Sequence, residues 1–155
     1  LWVASLEVSG KGLRHVQGSI QMLDLHNCDL VDDDLQYLQG TIKVLDLSAN
    51  RRITNKGLKY LQGTIEDLIL ESPLITDDGL QYLSHVKYLS LLNHSLTGEG
   101  IKYLSNLIAL EIDEISEEKV KQLQNIKLVW TTDDTKIYGE VNGKGFPQRF
   151  KKFIK

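Results

Sequence analysis

The chain has 155 residues, of which 41% are hydrophobic and 25% charged, with a formal net charge of −3. No apolar run approaches the ~18 residues of a membrane-spanning helix, and a single cysteine, Cys28, leaves no internal disulfide framework and no multi-cysteine zinc site. Residues 1–135 hold 12 Lys and Arg against 20 Asp and Glu, a net −8, whereas residues 136–155 hold six basic residues against Glu140 alone, a net +5. An acidic body repels a phosphate backbone, which argues against nucleic-acid binding by it.

The opening LWVASLEVSG has no initiating Met, basic n-region or long apolar h-region, so it does not read as a signal peptide but as the cut end of a longer chain. Next, SGKG at 9–12, like GEVNGKG at 139–145, echoes a phosphate-binding loop without its spacing: such a loop needs four residues between its first Gly and the Gly-Lys, then Ser or Thr. The lone cysteine favours a reducing compartment. The one sequon, Asn93-His94-Ser95, is the only secretory hint.

From Ile20 onward the chain repeats itself. Units begin at Ile20, Ile42, Ile65, Val86, Leu107 and Ile126, spaced by 22, 23, 21, 21 and 19 residues. Each opens with an L-x-x-L-x-L pattern, as in Ile20/Leu23/Leu25, Ile42/Leu45/Leu47 and Ile65/Leu68/Leu70, and an earlier unit fits over residues 1–18. The second half of the unit carries a phrase written four times: VDDDLQYL at 31–38, TNKGLKYL at 54–61, TDDGLQYL at 76–83 and TGEGIKYL at 97–104. A period of 20–25 residues marks stacked coils that bury a continuous core none could bury alone.

In the LDL segments Leu23 and Leu25 point inward and Asp24 outward, the alternation of a strand. In the repeated phrase, Thr76 and Thr97 are expected as helix N-caps, and the acidic residues after them, with Asp32, Asp33 and Asp34, are expected to favour the helix dipole. EF-hand spacing and its closing Glu are missing there, so no calcium site is read. Tyr37, Tyr60, Tyr82 and Tyr103 recur at one position, expected as helix-packing residues of the convex side.

These units resemble leucine-rich repeats over about residues 1–130, and the convex phrase resembles the short-helix repeats of F-box-associated and bacterial leucine-rich proteins. The resemblance implies an α/β solenoid, with a parallel concave sheet and short convex helices, over residues 1–132 in about six units of 19–23 residues. The family's asparagine-or-cysteine ladder position falls on Cys28 and Asn50, then departs to Pro73, His94 and Ile115. In that slot Cys28 is expected buried and unreactive, and His94 a satisfied buried histidine. His15, His26 and His85 fall at unrelated repeat positions, so no metal site is expected.

Residues 133–155 leave the pattern. A type I′ hairpin is expected at Asn142-Gly143 and a short basic helix after Pro147, forming a C-terminal cap; membrane contact by this basic tail is a lesser reading.

The function expected is a non-catalytic protein-interaction module, with no cofactor, no metal and no small-molecule substrate. The alternative is the substrate-recognition part of a larger system, such as a ubiquitin-ligase adaptor or a secreted bacterial effector. The expected setting is intracellular and cytoplasmic, or the host cytosol for an effector. Outward strand positions should form three columns: Met22, Val44, Asp67, Tyr88, Ala109, Leu128; then Trp2, Asp24, Asp46, Ile69, Ser90, Glu111, Trp130; then Ala4, His26, Ser48, Glu71, Leu92, Asp113. Partner binding is expected at Asp24, His26, Asp46, Asp67, Ile69, Glu71, Tyr88, Ser90, Leu92, Glu111, Asp113 and Trp130. Six carboxylates and no Lys or Arg in these columns point to a partner protein with a basic or mixed surface.

Overall fold

The computed structural model of the protein describes residues 10–15, 20–38, 42–123, 125–132 and 137–138. Each L-x-x-L-x-L pattern there becomes one strand: β1 (Met22–Asp24), β2 (Val44–Leu47), β3 (Asp67–Glu71), β4 (Tyr88–Leu92), β5 (Ala109–Ile112) and β6 (Leu128–Thr131). All six run parallel in chain order, and β7 (Ile137–Tyr138) adds to β6 antiparallel. The strand expected in the first unit, the Asn142-Gly143 hairpin and the basic helix lie outside the described residues.

The register is the expected one. Leu23, Leu45, Leu68, Leu89, Leu110 and Val129 form one inner column, and Leu47, Leu70, Leu91 and Ile112 a second that ends on Thr131. All of these side chains are buried, in one core with the return-leg residues Leu35, Leu58, Leu80 and Ile101. Parallel strands need such a covered face, and stacked coils supply it by repetition.

The convex return legs are tighter than expected. Asp32–Tyr37, Asp77–Leu83 and Glu99–Tyr103 are 3₁₀ helices, as is Lys59–Leu61 behind the single α-turn Asn55–Leu58; Gly10–Leu13 and Glu117–Val120 are further single turns. A coil of about twenty residues must run back along the full strand length with few residues to spare. A 3₁₀ helix rises ~2.0 Å per residue against ~1.5 Å for an α-helix, so it covers that length with fewer.

The threonines of the repeated phrase do more than was expected of them: Thr54 accepts the Lys56 N–H at 3.2 Å and Thr97 the Glu99 N–H at 3.4 Å at the start of their own return legs, and each threonine also bonds the preceding coil. Thr76 occupies the cap position, yet its side chain makes no cap bond to its own helix. Instead its N–H donates to Asn55 Oδ1 of the preceding coil at 3.1 Å, and Asn55 Nδ2 donates to its hydroxyl at 2.7 Å. The same link joins Thr54 to Asp32, through N–H (2.7 Å) and hydroxyl (2.7 Å), and Thr97 to Asp77 at 2.8 and 2.9 Å. Asp77 Oδ1 further accepts the Gly100 N–H at 2.6 Å. Burial pushes the Asp77 carboxyl up, but the bonds from Thr97 and Gly100 outweigh it and hold the group below its ordinary value.

This interlock explains the glycine of the phrase. A Cβ on Gly57 would lie 2.6 Å from Asp32 Oδ1, one on Gly79 would strike Asn55 Oδ1, and one on Gly100 the Asp77 backbone. Where the preceding coil carries glycine at the reaching position, a side chain returns: Gly10 precedes Asp34, and Gly98 precedes Lys119, which packs over it. A reaching Asp or Asn and a receiving Gly therefore occur together along the chain.

The ladder position holds only in part. Asn50 Oδ1 accepts the N–H groups of Cys28 (3.1 Å) and Leu30 (3.0 Å), and its Nδ2 donates to the carbonyls of Leu25 (2.9 Å) and Leu47 (3.0 Å). One coil later Pro73 stands in the slot, and Ser72 takes over by donating to Ile53 O at 2.7 Å and accepting the Leu74 N–H at 3.2 Å. Cys28 is buried, its thiol 3.5 Å from the His26 carbonyl.

Gly79→Ala should lower stability by about 1–3 kcal/mol. Because the clash is with Asn55, the Asn55→Gly, Gly79→Ala double variant should be less destabilised than the sum of the singles by ~1 kcal/mol or more. Urea denaturation of all four proteins measures this, and strict additivity would refute the interlock. Asn50→Ala should cost several kcal/mol, since each buried backbone group left unpaired costs about 1–3 kcal/mol. A thermal melt close to the parent's would show that the Asn50 bonds are dispensable.

Candidate functional site

The first two outward columns are present in the paired strands. Met22, Val44, Asp67, Tyr88, Ala109 and Leu128 face one another across the ladder, as do Asp24, Asp46, Ile69, Ser90, Glu111 and Trp130. The third is a strand column only at Glu71 and Leu92; His26, Ser48 and Asp113 lie where the chain turns out of the sheet. Trp2 and Ala4 lie outside the described residues.

Exposure divides the twelve expected contact residues. Asp24, His26, Asp46, Ile69, Glu71, Tyr88, Leu92, Glu111, Asp113 and Trp130 are half-buried and border the concave surface. Asp67 and Ser90, outward by register, are only 5% and 1% exposed. As the face stands, neither presents a side chain to a partner.

Several of the carboxylates serve the fold. Asp24 Oδ1 accepts the His26 N–H at 3.1 Å and lies 2.9 Å from His26 Nδ1. Asp46 Oδ1 accepts both the N–H (2.8 Å) and hydroxyl (2.6 Å) of Ser48, and Asp113 Oδ2 accepts the Asn93 N–H at 2.6 Å. These bonds secure the tight turns after the strands, where Asn27, Ala49 and Asn93 take the left-handed backbone conformation, with φ of 53°, 58° and 50°. Glu71 sits 3.6 Å from Arg51 at the surface, a weak pairing. Glu111 makes no hydrogen bond or ion pair among the described residues. The charges left to steer a partner are thus Glu111 and Glu71, beside the apolar Ile69, Tyr88, Leu92 and Trp130.

The convex tyrosines divide: Tyr37 and Tyr82 pack against the core as expected, whereas Tyr60 and Tyr103 are 38% and 41% exposed. The guanidinium of Arg14 lies 5.3 Å from the ring centre of Tyr37, and Lys59 Nζ 5.5 Å from that of Tyr82, each cation coming from the preceding coil. Along the sheet edge Glu66 sits between Lys43 (3.0 Å) and Lys87 (2.7 Å), and those two ammonium groups hold its carboxyl below the ordinary range.

A cleft of about 600 Å³ opens between the last two turns, lined by His94, Leu96, Ile112, Asp113, Ile115 and Lys119 among others. It lies where the ladder slot has passed to His94 and Ile115 and no amide bridges the coils. Its polar groups are largely engaged, Asp113 with Asn93 and Lys119 with Glu99. Among the described residues no group of three or more His, Cys, Asp and Glu could hold a metal ion. His94 is satisfied at one nitrogen only: Nδ1 accepts the Leu96 N–H at 3.1 Å, while Nε2 is buried with no hydrogen-bond partner among the described residues.

With this geometry established, comparison with known proteins adds one match. Residues 41–61 fit the family model described as Leucine Rich repeat, the coil that contains β2 and Asn50. Since the parallel register of that coil recurs from β1 to β6, the described residues have the α/β arrangement of a leucine-rich repeat solenoid. The match is to the repeat itself and says nothing of an F-box-associated subtype. No curated protein matches the chain. Leucine-rich repeats are in general protein-interaction modules and typically not enzymes.

Burial holds both His85 and His94 below the ordinary histidine value of 6.5. The unfolded chain therefore takes up protons first as the pH falls, and stability present above about pH 6.5 should be lost towards pH 5. The lowered carboxylates act in the same direction, but at lower pH. Melting temperatures between pH 7.5 and 5 should fall less steeply in the His85→Gln, His94→Gln double variant than in the parent; equal slopes would assign the loss elsewhere.

Proposed function

We propose that the protein is a non-catalytic recognition module that binds a partner protein through its concave sheet. The observation that carries this reading is the strip of half-buried Ile69, Tyr88, Leu92 and Trp130 flanked by Glu71 and Glu111, on a face with no Lys or Arg among its described columns. Apolar and aromatic groups ringed by polar ones make a contact surface with anchors at its centre. The matching partner carries a basic or mixed surface, with the carboxylates steering encounter and the central rings setting the lifetime of the complex. A rigid sheet without a deep enclosed pocket suits protein recognition better than catalysis on a small molecule.

The test is an affinity capture from cell extract with the full chain, followed by kinetics on the partner so identified. Glu71→Lys with Glu111→Lys should slow association about tenfold at low salt and flatten its dependence on ionic strength. Tyr88→Ala should mainly speed dissociation, costing ~1–3 kcal/mol of affinity. Asp24 and Asp46 are poor choices for this purpose, since their carboxylates brace the turns after β1 and β2. Unchanged kinetics in both variants would exclude the concave face as the binding surface.

A further inference from the structure

The turn that carries each strand into its return leg keeps a nearly constant length until the last coil. The leg begins eight residues after Leu47, at Asn55, seven after Leu70, at Asp77, and eight after Leu91, at Glu99. After Ile112, which shares the register of those leucines, it begins at Glu117, five residues on. A longer turn reaches across the coil before it. Ser95 donates its N–H to the Ile75 carbonyl at 2.9 Å and its hydroxyl to the Pro73 carbonyl at 2.7 Å. Residues 113–116 are too few to do the same. Among the described residues they make one bond to the preceding turn, in which Asp113 accepts the Asn93 N–H. The cleft of about 600 Å³ is the room so left, and its volume is of the size that ligands occupy, about 300–1,000 Å³.

The lining is of two kinds. Ile101 and Ile112, both buried, and Leu96 and Ile115, both half-buried, make part of it apolar. Two carboxylates line it as well. Asp113 is bonded at Oδ2 only, and no described residue bonds Oδ1; Glu114 is exposed and makes no hydrogen bond or ion pair among the described residues. The lysine of the lining, Lys119, is paired with Glu99. The uncompensated charge of the cleft is therefore negative. Apolar walls beside carboxylates fit a long cationic side chain, which buries its aliphatic stem and keeps its charge at the edge of water. An anion would be repelled there, and an uncharged apolar group would leave the carboxylates without a counter-charge.

We propose that this cleft receives a lysine or arginine side chain of the partner protein, its stem against Leu96 and Ile115 and its charge on Asp113 and Glu114. The proposal rests on the reading of the concave face as the recognition surface for a basic or mixed partner, and it extends that surface past the end of β5 over the shortened turn. Asp113 joins the two, since it borders the concave face and lines the cleft.

Titration of the full chain with n-butylguanidinium, which has the stem and head of arginine, tests the cleft with no partner present. Followed by NMR at constant pH and ionic strength, the Leu96 and Ile115 methyl groups and the His94 ring should shift and saturate at about 1–100 mM. Valerate, of similar length and opposite charge, should give no saturating shift at these groups. Glu114→Gln removes no bond made by a described residue, and Asp113→Asn keeps an acceptor for the Asn93 N–H, so the turn is retained in both. The two substitutions together should weaken n-butylguanidinium binding about threefold or more. Shifts that do not saturate, an equal response to valerate, or unchanged affinity in the double variant would overturn the proposal. Such a failure leaves the concave reading to the kinetics of the Glu71→Lys, Glu111→Lys and Tyr88→Ala variants, so the two can fail separately.

Discussion

The structure depends on one coil reaching into the next. A carboxylate or amide at Asp32, Asn55 or Asp77 accepts the N–H of the following coil's Thr54, Thr76 or Thr97 and bonds its hydroxyl, and a glycine in that coil leaves the room to do so. Hydrophobic stacking alone is non-directional and would tolerate sliding of one coil over another. A short polar bond aimed at a single N–H does not. Repeated along the convex edge, it complements the ladder of β1 to β6 and the buried leucine columns. The concave face keeps its parallel register because both edges of each coil are tied.

The same economy governs the polar residues elsewhere. Asn50 closes four backbone groups across two coils, and Ser72 does a smaller version of this beside Pro73. Beyond it, the slot holds His94 and then Ile115, and the cleft between the last coils opens there. Buried backbone groups are satisfied where an amide is available, and the packing loosens where it is not. On the concave side, Asp24, Asp46 and Asp113 look in sequence like a field of negative charge, yet their carboxylates brace turns. Much of the acidity of the face is architectural, and the part free to act on a partner is small.

Periodicity was sufficient to read the architecture. A 19–23-residue spacing with apolar residues at the first, fourth and sixth positions admits one economical burial scheme, so strand order, parallel pairing and the inner columns were legible from the residues. The convex phrase was legible as a repeat but not as an interlock. Asp and Thr near a helix start satisfy local capping rules, and only the position of the neighbouring coil shows that Thr76 bonds Asn55 rather than capping its own helix. The pairing of reaching Asp or Asn with receiving Gly, and of Gly with a side chain, stood in the sequence as a signal of that contact.

The sequence by itself determined which side chains alternate inward and outward, because a strand has a period of two and a stacked coil must bury one side. It also determined the charge of the concave columns and of the tail. Only the tertiary structure decided which outward residues are accessible: Asp67, Ala109 and Leu128 share the register of Met22 yet are buried while Met22 is open, and Ser90 is buried in the register of the half-buried Asp24. The physical reason is that orientation is local, set by backbone geometry, whereas exposure depends on the side chains that the fold brings beside each position.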